Sequence, residues 1–169
     1  ISIEPNFMNL GRMKSNLRLN NLLKNNSQFL GAASNFSGKG FFSTHFDNTF
    51  LSKGGHVSLS GERINIIKLD DITINDNKKI RGIKIDTEGE DYNVLLGAEK
   101  IINNFRPDII IEVREKNKLA IFEFLAKYNY KTWLISDKVS SKVVQVELSN
   151  LQIISTSSVN IFATIDKIN

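Results

Sequence analysis

The stretch IKIDTEGEDYNVLLGAEKIINNFRPDIIIEV, residues 83–113, decides the fold. Ile83 and Ile85 flank Lys84 in a short apolar strand that ends at Asp86. Asp86-Thr87-Glu88-Gly89 reads as a turn. From Glu90 the apolar period changes from about two residues to about 3.6, which is the change from strand to helix. Val94, Leu95, Ala98, Ile101, Ile102 and Phe105 then fall on one helical face. Glu88, Glu90 and Asp91 crowd the first turn, where the helix dipole favours negative charge. Pro107 ends the helix, because a proline disfavours helical geometry in the residue before it. Asp108 leads into Ile109-Ile110-Ile111, and Glu112 closes the run. A strand apolar on both faces belongs in the middle of a parallel sheet covered by helices. The stretch therefore predicts a strand–helix–strand unit with carboxylates at the carboxyl ends of two strands. In open α/β sheets that edge is where ligands bind.

The same residues resemble the signature of the FkbM-type methyltransferases. That pattern is Lys-Ile-Asp, any residue, Glu-Gly, any residue, Glu, then an apolar helix ending in Leu-Leu/Lys-Gly-Ala. Lys84, Ile85, Asp86, Glu88, Gly89, Leu95, Gly97 and Ala98 match it in register. Asp91 stands where the family usually has Glu, which keeps the charge and shortens the arm. Glu4-Pro5-Asn6, Asn16 and Asn20 with Leu17 and Leu19, Ala32-Ala33 with Gly38, and Leu69-Asp70-Asp71 resemble further family segments in the same order. The resemblance implies an α/β fold with a Rossmann-like class I methyltransferase sheet, mostly parallel with an antiparallel C-terminal edge. It implies S-adenosyl-L-methionine as cofactor and a methyltransferase activity. O-methylation of a hydroxyl on a sugar or secondary metabolite is the expected reaction.

The chain has 169 residues, which suits one domain, residues 1–169. Hydrophobic residues make up 41% and charged residues 24%, the balance of a water-soluble globule, so a cytoplasmic setting is expected. No run is long enough to span a membrane. There are no cysteines, which excludes disulfides and thiolate metal sites. The net charge is +4, but the lysines are scattered and no arginine-rich or aromatic-interleaved run is present. Solvated surface lysines explain this better than nucleic-acid binding. The expected partner is a small-molecule or glycan acceptor, with no nucleic acid and no membrane. The residues do not define an oligomeric state.

Along the chain, Ile1 to Glu4 reads as a strand. Pro5 and Asn6 open a helix with Phe7, Leu10, Met13 and Leu17 inward, closed by Asn20 and Asn21. Ser27 to Ala33 reads as one strand, and Phe36 to Gly61 as an insert with an added hairpin strand that covers the site. Arg63 to Leu69 is a strand, and Asp70-Asp71 caps a turn. Lys116 to Tyr128 is a helix with Leu119, Phe122, Leu125 and Ala126 inward. Tyr130 to Ile135, Val143 to Leu148 and Ser158 to Ile165 are the last strands.

The family also carries a glycine-rich turn after its first strand: acid, any residue, Gly-Ala-Asn, any residue, Gly. This turn has no counterpart here, and Ile1 already lies inside a strand. The expectation is therefore a first strand missing between those ending at Glu4 and Asp86, and an N-terminally incomplete domain that is inactive alone.

Glu4 is the candidate for the cofactor's ribose, since a carboxylate accepts two hydrogen bonds from a diol. Ser34 lies where Rossmann-type methyltransferases meet the adenine ring, although Ser-Asn pairs are usually plain turns. A methyl on sulfonium is already activated, so the protein must align the reactants and take the acceptor's proton. Asp86 is assigned to cofactor and acceptor, and Glu88 to the acceptor. The structural alternative is that Glu88 only caps the following helix. Glu112 and His45 are candidate substrate contacts. His45 and His56 are equally general-base candidates in the insert, although a lone loop histidine is more often solvated and idle. Two alternatives remain open. Asp86, Glu88 and Glu112 could hold Mg²⁺ to assist O-methylation, or the α/β fold could be a non-catalytic interaction module.

Overall fold

The structure is a computed structural model that describes residues 1–44, 55–58, 61–72, 79–135, 144–154 and 158–166. The decisive stretch gives the expected strand, acidic turn and returning parallel strand, but not the expected single helix. β7 (Gly82–Ile85) runs into the acidic turn, and β8 (Asp108–Arg114) returns parallel to it, with Ile83 opposite Ile109 and Ile85 opposite Ile111. Between them lies not one helix but two, α2 (Asp91–Gly97) and α3 (Glu99–Phe105). The break falls at Ala98, which has φ −110° and ψ 12°. The break gives α3 an N-terminus of its own, and Asp70 caps it: its carboxylate accepts the amides of Lys100 and Ile101, both at 3.0 Å. Asp70 is thus a cap, but of a helix distant in sequence rather than of its own turn. Phe105 is exposed, not inward.

Before this unit come β1 (Ser2–Glu4), α1 (Phe7–Leu19), β2 (Gln28–Leu30), β3 (Ala32–Ser34), β4 (Gly38–Thr44), β5 (Gly55–Ser58) and β6 (Glu62–Lys68). After it come α4 (Lys118–Lys127), β9 (Lys131–Ile135), β10 (Val144–Val146) and β11 (Ser158–Thr164). Among the described residues the strands form three sheets, where one mostly parallel sheet was expected. β1 and β2 pair parallel; β3, β6, β4 and β5 form the second sheet in that order; and β10-β9-β11-β8-β7 is the third. In the third sheet only β7–β8 is parallel, so β8 sits inside a mixed sheet with β11 antiparallel on its other side. The expected antiparallel C-terminal edge is present. Among the described residues, β1 pairs with β2 alone and β7 with β8 alone.

The expected strand 27–33 is divided at Gly31, where a Cβ would meet the Asn65 carbonyl oxygen at 2.7 Å. β2 therefore goes to β1 and β3 to β6. The hairpin of the 36–61 insert is β4 with β5, extended by β6.

α1 is capped by the Asn6 side chain, which accepts the amides of Met8 and Asn9. Of its expected stripe only Leu10 is buried, and Phe7 is 68% exposed. The helix lies against two three-residue strands, too small a surface to cover a full stripe. α4 turns Ile121, Phe122, Phe124 and Leu125 inward and leaves Leu119 57% exposed. Its inward face is rotated from the expected one. The main core gathers Leu95, Ile102, Ile109, Ile111, Ile121 and Ile161 between the third sheet and helices α2 to α4.

Candidate functional site: the acidic turn

Residues 86–91 cross from the end of β7 to the start of α2. Glu88 has φ 53° and Gly89 φ 116°, so two successive residues take left-handed backbone. Glycine adopts this freely, but for Glu88 it needs outside support. Asp91 supplies part of it. Its side chain is 1% exposed. Oδ1 accepts the Thr87 amide at 2.9 Å and the Thr87 hydroxyl at 3.0 Å, and Oδ2 accepts the Gly89 amide at 3.2 Å. The Asn117 side-chain amide donates to the Gly89 carbonyl at 3.2 Å, which ties the turn to the segment after β8.

Arg114 supplies the rest. Its Nη2 donates to Glu88 Oε2, and its Nε donates to Glu112 Oε2 at 2.9 Å. Burial works against the Arg114 charge. The hydrogen bonds to Glu112 and Glu88 outweigh it and hold the guanidinium pKa above its ordinary value. Glu88 therefore does not cap α2, whose N-cap residue is Glu90. Asp86 turns away from this pair to Lys84, with Nζ to Oδ2 at 2.7 Å.

β3 brings a second group to the same edge. Ser34 is 3% exposed and donates its hydroxyl to Glu90 Oε2 at 3.1 Å. Asn93 donates to the same oxygen at 2.9 Å, and Asn35 donates to Asn93 at 3.4 Å. Glu4 lies at the end of β1. Its Oε1 accepts the Asn6 amide at 2.7 Å, and burial raises its pKa despite that bond. Among the described residues, no hydrogen bond joins Glu4 to the acidic turn. His45 lies outside the described residues, as does the side chain of His56. Among the described residues, no three His, Asp or Glu side chains converge in a way that could hold a metal ion.

Arg114 thus joins Glu88 to Glu112, and Ser34 joins Glu90 at the start of α2, while Asp86 and Glu4 hold their own local partners. Sequence reasoning missed Asp91 as the hook of the turn, Glu90 and Asn93 as partners of Ser34, and Arg114. The signal for Arg114 was available. It stands two residues after Glu112 on a strand, hence on the same face.

Residues 1–132 match the family model of the methyltransferase FkbM domain. The chain belongs to the FkbM methyltransferase family. No curated protein gives a significant match. Among solved structures, the chain is similar to methyltransferase FkbM from Methylobacillus flagellatus KT, with a TM-score of 0.58 and 18% identity. The match covers 95% of this chain and 35% of that one. The chain thus spans about a third of the length of that solved relative, and the likeness shows a shared fold. The acidic turn, Ser34 and Arg114 all fall within the residues that match the family. Among the described residues, no helix is long and apolar enough to cross a membrane.

Proposed function

We propose that this chain carries part of the site of an S-adenosyl-L-methionine-dependent O-methyltransferase whose acceptor is a hydroxyl of a sugar or secondary metabolite. The observation that carries this reading is the acidic turn. Its carboxylates stand at the carboxyl ends of β7 and β8, held rigid by Asp91 and Arg114. A carboxylate fixed at such an edge can orient an acceptor hydroxyl and take its proton. Glu88 is the residue for this role, with Glu112 held across Arg114 from it and Asp86, paired with Lys84, toward the cofactor and acceptor.

The donor set suits the cofactor. Glu4 ends β1 with a half-buried carboxylate that can accept a ribose diol. Ser34 is tied to Glu90 beneath the surface, and Asn35, Glu90 and Asn93 around it offer amide and carboxylate groups to an adenine edge. When bound, the cofactor supplies an activated methyl. The protein's own contribution is to position the acceptor and remove its proton. The Mg²⁺ variant of this reading is less favoured, because Glu88 and Glu112 turn to Arg114 and Asp86 turns to Lys84.

The test is calorimetric titration of S-adenosylhomocysteine into the protein as its natural polypeptide, wild type and Glu4→Ala. Binding that Glu4→Ala weakens about tenfold or more supports the reading. No binding in the natural polypeptide sinks it in favour of a non-catalytic module.

A further inference from the structure

We propose that Arg114 is a positioning residue that takes the place of a divalent cation between Glu88 and Glu112, so that the acidic site works without a metal ion. This rests on the methyltransferase reading and deepens it.

Hard cations such as Mg²⁺ take carboxylate oxygens as ligands. Glu88 and Glu112 are the two carboxylates that come together here, one from the left-handed turn and one from β8. A single guanidinium already bridges them, through Nη2 and Nε. The planar fork of arginine suits this double contact, and its charge is permanent at any ordinary pH. The bridge is withdrawn from water at its Glu112 end: the side chains of Glu112, Arg114 and Glu88 are 17%, 31% and 48% exposed. Lys116 reaches over the same turn, with Nζ 2.8 Å from where a Gly89 Cβ would stand. Among the described residues it pairs with neither carboxylate. Arg114 thus offsets the repulsion between Glu88 and Glu112 and fixes Glu88 in a left-handed backbone conformation that a non-glycine residue otherwise avoids. A metal would do the same two things. Unlike a metal, Arg114 cannot leave, so the orientation of Glu88 does not depend on an ion supply.

The experiment adds Mn²⁺ to the ¹⁵N-labelled natural polypeptide and follows the amides of residues 87–89 and 112–114, which a bound paramagnetic ion broadens. Wild type is compared with Arg114→Ala, Arg114→Gln, and Arg114→Ala combined with Glu112→Gln. The expected result is sharp signals in wild type at concentrations that broaden them in Arg114→Ala, a gain of at least about tenfold in affinity. Adding Glu112→Gln should abolish that gain. Equal broadening in wild type and Arg114→Ala would overturn the proposal, because metal and arginine would then coexist. A natively folded Arg114→Ala that gains no Mn²⁺ binding would overturn it too. If Arg114→Ala does not fold, Arg114→Gln takes its place under the same criteria. None of these readouts involves methyl transfer, so failure of S-adenosylhomocysteine binding would sink the methyltransferase reading separately.

Discussion

A Cβ built on Gly97 would stand 2.1 Å from the carbonyl oxygen of Ser34 and 3.0 Å from its carbonyl carbon. α2 therefore lies on the backbone of β3 itself, and only a residue without a side chain permits it. This contact sets the distance across which Ser34 reaches Glu90. Gly97→Ala must push α2 off β3, since a carbonyl cannot swing away as a side chain can. The expected loss is about 2–3 kcal/mol in urea unfolding. The Ser34–Glu90 bond should loosen with it.

Asp91 holds three donors of the turn from a buried position. Asp91→Ala leaves two backbone amides without their acceptor and should cost about 3 kcal/mol. Asp91→Asn keeps one acceptor oxygen and should cost less. Chemical denaturation of both variants checks the order, and a loss in Asp91→Ala below about 1 kcal/mol would mean that the carboxylate is not the hook.

Glu4 should trade stability for binding. Burial, opposed by hydrogen bonds from Asn6 and Asn9, raises its pKa in the folded chain. The folded state thus holds the proton more tightly than the unfolded state. The resulting stabilisation is complete below the unfolded value of 4.5 and is lost as pH rises through the folded one. Above that range the ionised carboxylate is a burden to the fold. Glu4→Gln keeps an acceptor for the Asn6 amide and removes the charge. It should melt higher than wild type near pH 7 and no higher near pH 4. At the same time it should weaken S-adenosylhomocysteine binding.

Tyr130 is buried and donates its hydroxyl to the Pro107 carbonyl at 2.7 Å. Burial pushes its pKa up to about 12, with Arg106 pulling the other way and Asp108 reinforcing the rise. An unfolded tyrosine ionises near pH 10. Between these values the unfolded chain loses a proton that the folded chain keeps, so stability should fall as pH rises from about 10 to about 12. Tyr130→Phe should flatten that decline in unfolding curves taken at alkaline pH, and an unchanged slope would exclude Tyr130 as its source.

The β7–turn–β8 unit was legible because its signals are local. The apolar period changes at Glu90, and Pro107 stops the helix next to a run of three isoleucines. The break at Ala98 was not legible, because Leu-Leu-Gly-Ala-Glu carries good helix formers on both sides. What divides the helix is the fit of Gly97 against Ser34, a contact between residues far apart in sequence. The division into three sheets was hidden for the same reason. β3 leaves β2 at Gly31 to join β6, and only the partner strand reveals why. At the site, the carboxylates were visible as residue types but their partners were not. Asp91 looked like one more acid at a helix start, and its burial separates it from Glu88 and Glu90. The Phe7 stripe failed because amphipathic spacing predicts a buried face only where enough surface exists to bury it.

β7 ends its sheet, so among the described residues one side of Gly82–Ile85 presents amides and carbonyls with no strand to receive them. Unpaired strand edges are templates for foreign strands, and proteins commonly guard them with lysine. Lys84 is the sole charge within β7, with its side chain 62% exposed. Any further strand that joins this edge must therefore lie beside the Lys84–Asp86 pair, which cancels its own charge and so leaves the edge open to a polar neighbour.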